Sequence, residues 1–127
     1  MARVICTDWL TSHSENSVSN HSTGHAAEIR AAKYLEGQGY TIREINWKTK
    51  YCEIDIVCVK NQTIRFIEVK YRRNTKHGQG LDYITEKKLE QMKFAAETWV
   101  QNHGWASDYQ LMVVSIDAEE ITVIDDL

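Results

Sequence analysis

The stretch Glu53-Ile54-Asp55-Ile56-Val57-Cys58-Val59-Lys60-Asn61-Gln62-Thr63-Ile64-Arg65-Phe66-Ile67-Glu68-Val69-Lys70 decides the fold. It holds two aliphatic runs separated by Asn61-Gln62, a pair that suits a two-residue hairpin turn because Asn tolerates positive φ. Strands with aliphatic residues on both faces are usually buried. Glu53, Asp55 and Glu68 therefore lie where carboxylates are unfavourable unless their charge is compensated. A turn at Asn61-Gln62 makes Lys60 face Thr63. That register sets Asp55 opposite Glu68 and Glu53 opposite Lys70.

Like charges directly opposed on a sheet are destabilising. Two carboxylates in one partly buried spot share a proton or hold a cation, and oxygen ligands suit Mg²⁺ or Mn²⁺. Lys70, on the same face, is placed to orient an attacking water or to stabilise charge growing on a phosphate. The competing reading is a solvated face with a Glu53–Lys70 salt bridge and two exposed acids. A one-residue slip would send the pair to opposite faces.

On the N-terminal side, Ala26, Ala27, Ile29, Ala31, Ala32, Tyr34 and Leu35 predict a helix from about Gly24 with a small-residue face. Ser22 or Thr23 can cap it, and Gly37 and Gly39 end it. Glu28 lies near its start, where a glutamate is commonly a dipole-favoured surface residue. Tyr40 to Trp47 reads as a first strand and Lys48-Thr49-Lys50-Tyr51 as a turn. Residues 1–23 show no period and carry five serines between 11 and 23, so they read as a flexible arm. His21 and His25, four apart, have a metal-ligand spacing only on a helix, which Gly24 argues against.

On the C-terminal side, residues 72–84 read as a polar loop containing Arg72, Arg73 and Lys76. Thr85 can cap a helix whose apolar positions are Leu89, Met92, Ala95, Ala96 and Trp99. Tyr109 to Ile116 and Ile121 to Ile124 follow as strands, the last at an edge. The expectation is an α/β domain over 24–127, with a mixed central sheet of about five strands flanked by helices, in the order α-β-β-β-α-β-β.

The totals frame this. A chain of 127 residues, 43% hydrophobic and 26% charged, fits one globular domain. No apolar run is long enough for a membrane span, and the N-terminus has no stretch of signal-peptide length, so no membrane partner and a cytoplasmic location are expected. Three cysteines without CxxC spacing suggest free thiols. The net charge of -3 argues against a coat protein for nucleic acid, but residues 60–93 hold nine Lys/Arg against four Asp/Glu, and residues 94–127 hold seven Asp/Glu and no Lys or Arg. A locally basic segment beside a carboxylate pair suits a phosphate backbone.

Asp55, followed thirteen residues later by Glu68-Val69-Lys70, resembles the signature of the PD-(D/E)XK nucleases. More closely, the chain from about Gly24 to Ile116 resembles the small bacterial YraN family. The likeness rests on Gly24-His25-Ala26-Ala27-Glu28, Ala32-Lys33-Tyr34-Leu35, Gly39-Tyr40, Asn46, Glu53-Ile54-Asp55, Phe66-Ile67-Glu68-Val69-Lys70, Arg72, Gly80, Thr85 and Lys88. It departs at Cys52, where the family pattern has glycine, and at Met112, where an acid often stands. The resemblance implies a restriction-endonuclease-like core and metal-dependent phosphodiester hydrolysis, or at least descent from it. It does not supply the substrate, for which nucleic acid, DNA ahead of RNA, is the expectation. It implies a site of Glu28, Asp55, Glu68 and Lys70, the three acids holding Mg²⁺ or Mn²⁺. Arg72, Arg73, Lys76 and Lys88 are then expected at phosphates. The alternative is a nucleic-acid-binding module that does not cut. A homodimer is compatible with the sequence and not derivable from it.

Overall fold

The computed structural model describes residues 3–9, 20–71, 84–118, 120–125 and 127, with the backbone alone for 3–9 and 20–23. In chain order the elements are β1 (Arg3–Trp9), α1 (Asn20–Gly37), β2 (Thr41–Lys48), β3 (Glu53–Lys60), β4 (Thr63–Tyr71), α2 (Glu86–His103), β5 (Tyr109–Ile116) and β6 (Glu120–Asp125). From α1 onward this is the expected α-β-β-β-α-β-β order. The strands form one mixed sheet in the order β1-β6-β5-β4-β3-β2. β4 and β5 run parallel, whereas the other neighbouring pairs are antiparallel. Helix α2 is the crossover that a parallel pair requires.

The structure differs from the expected arm over 1–23 in two places. Arg3–Trp9 pairs antiparallel with β6, and α1 begins at Asn20, ahead of Gly24. Val4, Ile5 and Thr7 are β-branched and suit a strand, even though no alternation announces one. The consequence is a sixth strand, and β6 is interior rather than an edge. Its outer row of N–H and C=O groups is paired instead of exposed. Residues 1, 2 and 10–19 lie outside the described residues.

The β3–β4 hairpin forms as its turn residues dictate. Asn61 and Gln62 both have positive φ, 54° and 67°, which is the requirement of a type I′ turn. The pairing runs from Lys60↔Thr63 to Ile56↔Ile67, the register expected from the sequence.

Strand alternation then divides the core between the two faces of the sheet. On one face, the small-residue side of α1 (Ala27, Ala31, Ala32, Leu35) packs on Ile56, Cys58, Ile67, Met112 and Val114. On the other, Ala95, Ala96 and Trp99 of α2 pack on Val57, Ile64 and Phe66, and Met92 packs on Val113 and Ile124. Met112, the departure from the family pattern, is thus a fully buried core residue. α2 begins at Thr85, whose hydroxyl accepts the Lys88 N–H at 3.0 Å, the N-cap predicted for it. It ends at Gly104, in the left-handed region at φ 63°, where a side chain would be strained.

Cys58 lies wholly inside the α1 face, and burial pushes its thiol up to about 12. Only the thiolate is nucleophilic. Cys58 is therefore expected to resist iodoacetamide in the folded protein and to label only on unfolding, as read by peptide mass mapping. Among the described residues, no helix is long and apolar enough to cross a membrane.

Candidate active site

The pairing of β3 with β4 stops at Ile56↔Ile67, one residue short of Asp55 and Glu68. Beyond that point the Val69 N–H donates to Asp55 Oδ2 at 2.8 Å. A side-chain carboxylate thus accepts a β4 backbone N–H at the fork of the two strands. This hydrogen bond fixes the direction of the Asp55 carboxyl. The Glu53–Lys70 pairing expected from a continuing ladder does not form. Lys70 instead turns to its own strand, with Nζ 3.9 Å from Glu68 Oε2.

Three elements bring charged side chains to this fork. From α1, Glu28 shares a hydrogen bond with Asp55. From β4 come Glu68 and Lys70. From the first turn of α2, Lys88 reaches Glu68 Oε1 at 3.4 Å. The Thr85 cap holds the Lys88 backbone, so the helix start that the sequence predicted also aims this ammonium. Lys88, expected at a phosphate, thus sits on a site carboxylate. His25 Nδ1 stands 3.7 Å from Glu28 Oε1, because α1 extends through Gly24 and carries His25 one turn before Glu28. Arg72, Arg73 and Lys76 lie outside the described residues.

The electrostatics are those of crowded acids. Burial, then the Asp55 charge and its hydrogen bond, push Glu28 up to about 7, with Glu53 adding to this and Lys48 opposing it. Asp55 is also raised, by burial first and then by Glu53, against the Val69 N–H, Lys88 and Glu28, which favour its ionised form. Glu68 is raised by burial and by Asp55, although Lys88 and Lys70 oppose the shift. Their shared hydrogen bond raises Glu28 and lowers Asp55, the direction of a pair in which Glu28 is the donor.

The sign of the resulting pH dependence follows. Between Glu28's ordinary value of 4.5 and its folded value of about 7, the folded chain binds more protons than the unfolded one. Stability then falls as pH rises through that window. Thermal melting in metal-free buffer is expected to show this decline from pH 5 to pH 8, and Glu28→Gln is expected to flatten it.

A proton shared between two carboxyls marks a place where a cation can serve instead. Among the described residues, no group of three or more His, Cys, Asp or Glu side chains is already disposed to hold a metal ion. What stands there is a linked set, with Glu28 bonded to Asp55 and the Asp55 charge acting on Glu68. The all-oxygen donor set fits Mg²⁺ or Mn²⁺ in its chemistry. Beside it opens a cleft of about 620 Å³ between the β2–β3 turn and α2, with Glu53, Glu68 and Lys88 in its lining.

The family model described as "Uncharacterised protein family UPF0102" matches residues 27–120, from the α1 residue beside Glu28 to the start of β6. The chain belongs to this family. UPF0102, the YraN-type family, is a branch of the PD-(D/E)XK nuclease superfamily. A UPF0102 protein of Cytophaga hutchinsonii is 38% identical over 100 residues, covering 79% of this chain and 88% of its own length. Another, from Pseudomonas fluorescens, is 36% identical over 104 residues, 80% of this chain and 87% of its own. A third, from Syntrophomonas wolfei, is 40% identical over 83 residues, 65% of this chain and 72% of its own.

Proposed function

We propose that this UPF0102 chain is a metal-dependent nuclease, acting in the cytoplasm, that hydrolyses phosphodiester bonds in nucleic acid, DNA in preference to RNA. The observation that carries the reading is the linked set at the fork, where Asp55 is held by the Val69 N–H, shares a hydrogen bond with Glu28 of α1 and acts by its charge on Glu68 of β4, with Lys70 3.9 Å from Glu68. Half-buried acids whose charges oppose one another are unfavourable for stability alone, and such perturbed groups cluster at functional sites.

Asp55, Glu68 and Glu28 would hold Mg²⁺ or Mn²⁺, which supplies Lewis acidity and charge neutralisation at the scissile phosphate. The Val69 N–H keeps the Asp55 carboxylate aimed into the fork. The Lys70 ammonium, 3.9 Å from Glu68 Oε2, can orient a water for attack or meet charge developing on the phosphate. Lys88 limits the repulsion between Glu68 and Asp55. Its second use is at a phosphate, which it reaches by letting go of Glu68.

Incubation of the purified protein with end-labelled duplex, single-stranded and branched DNA tests the reading. Cleavage dependent on Mg²⁺ or Mn²⁺ and suppressed by EDTA is the expected result. The other reading, a binding module that does not cut, is favoured by the net charge of -3 and the acidic C-terminal segment. Salt-sensitive binding without cleavage of any substrate selects it.

A further inference from the structure

Four large hydrophobic side chains among the described residues are well exposed, and the two most exposed, Tyr51 at 77% and Phe94 at 53%, both line the cleft beside the fork. Tyr51 stands on the β2–β3 turn and Phe94 on α2, so the rings belong to opposite walls. The turn is built to present Tyr51. Thr49 Oγ1 accepts the N–H groups of Tyr51 at 3.0 Å and Cys52 at 3.1 Å, and the Thr49 N–H donates to the Cys52 carbonyl at 2.8 Å. Neither ring belongs to the core clusters.

The same cleft is lined by Lys48, Lys50, Lys87 and Lys88. Lys50 Nζ lies over the Tyr51 ring, 5.9 Å from its centroid, so a cation already meets one aromatic face. A volume of about 620 Å³ is that of a pocket for a small-molecule-sized group. Lysines interleaved with exposed rings fit a chain of phosphates whose bases are free to stack. A base inside a duplex has both faces covered and cannot use such rings. The lysines disfavour an apolar protein segment as the occupant.

We infer that this cleft takes unpaired nucleotides, their bases stacked on Tyr51 and Phe94 and their phosphates drawn to Lys48, Lys50 and Lys87. The inference rests on the nuclease reading of the fork and names its substrate class, a nucleic acid with a single-stranded segment next to the scissile bond.

Single-stranded DNA carrying 2-aminopurine, titrated with full-length protein in EDTA, tests it without any cleavage. Stacking quenches the fluorescence of this base. Quenching on the single strand and on a duplex with a single-stranded overhang, weak or absent with blunt duplex, is the expected result. Tyr51→Ala and Phe94→Ala are each expected to weaken single-strand binding roughly 5- to 100-fold with unchanged circular dichroism, and Tyr51→Trp to retain it. No quenching, or unchanged affinity in both alanine variants, overturns the inference. The two readings fail separately: an active nuclease without quenching overturns only this one, and quenching by a protein that never cuts overturns only the assignment of catalysis.

Discussion

Asp55→Asn is expected to reduce metal-dependent cleavage by roughly 100-fold or more, the scale at which removal of a preorganised charged group from a reaction centre is felt. It is also expected to leave the fold intact. Asn retains a side-chain carbonyl oxygen that can accept the Val69 N–H, so the bond that orients Asp55 has a replacement. What disappears is the negative charge that raises Glu28 and Glu68. Glu28 should then fall back toward its ordinary range, and the apparent melting temperature above pH 7 should be unchanged or higher. Activity and stability moving in opposite directions would separate a functional carboxylate from a structural one. Cleavage rates at saturating Mn²⁺, with melting curves of the same preparations, measure both.

The largest loss of stability is expected from Trp99→Ala. Trp99 is fully buried, stacks on His103 with ring centroids 3.9 Å apart, and meets Phe66 edge-on at 5.5 Å. Its Nε1–H donates to Glu44 Oε2 at 2.8 Å. Truncation leaves a cavity between α2 and the sheet and removes a donor from a half-buried carboxylate that His103 Nε2 also approaches, at 3.3 Å. Trp→Ala changes in cores cost about 3–5 kcal/mol, a large part of the roughly 5–15 kcal/mol that stabilises a domain. A marked fall in the urea midpoint at equilibrium is the readout. Trp99→Phe keeps the ring packing but loses the bond to Glu44, so it should fall between the two. Because α2 also carries Lys88 to Glu68, any residual folded Trp99→Ala protein should be impaired at the fork as well.

Much of this architecture could be read from single residues. Asn61-Gln62 supplied the turn, the turn supplied the register, and the register placed Asp55 near Glu68. The small-residue stripe of α1 and the Leu89–Trp99 spacing of α2 supplied the two layers. Register arithmetic failed one residue beyond its last pair, because it assumes a ladder that continues. At the fork a carboxylate replaces a backbone acceptor, and no local pattern in Glu53-Ile54-Asp55 signals that exchange. The lost Glu53–Lys70 contact follows from it. The seven residues of β1 carry little period of their own and are defined by the long-range partner β6, so the sequence does not announce them as a strand. Gly24 reads as a helix breaker, yet α1 runs through it, and that continuity makes His25 a neighbour of Glu28. Lys48, Tyr51 and Phe94 were equally invisible as a group, since only the packing of a hairpin turn against α2 brings them to one cleft.

The central claim is that the fork holds a divalent cation through its carboxylates. Calorimetric titration of Mn²⁺ into the metal-free protein near pH 6 tests it most directly. The account predicts saturable binding whose heat varies with the ionisation enthalpy of the buffer, because the proton held by Glu28 is released, and predicts that Asp55→Asn loses this binding. Absence of binding to the unmodified protein, or equal binding by Asp55→Asn, would contradict it.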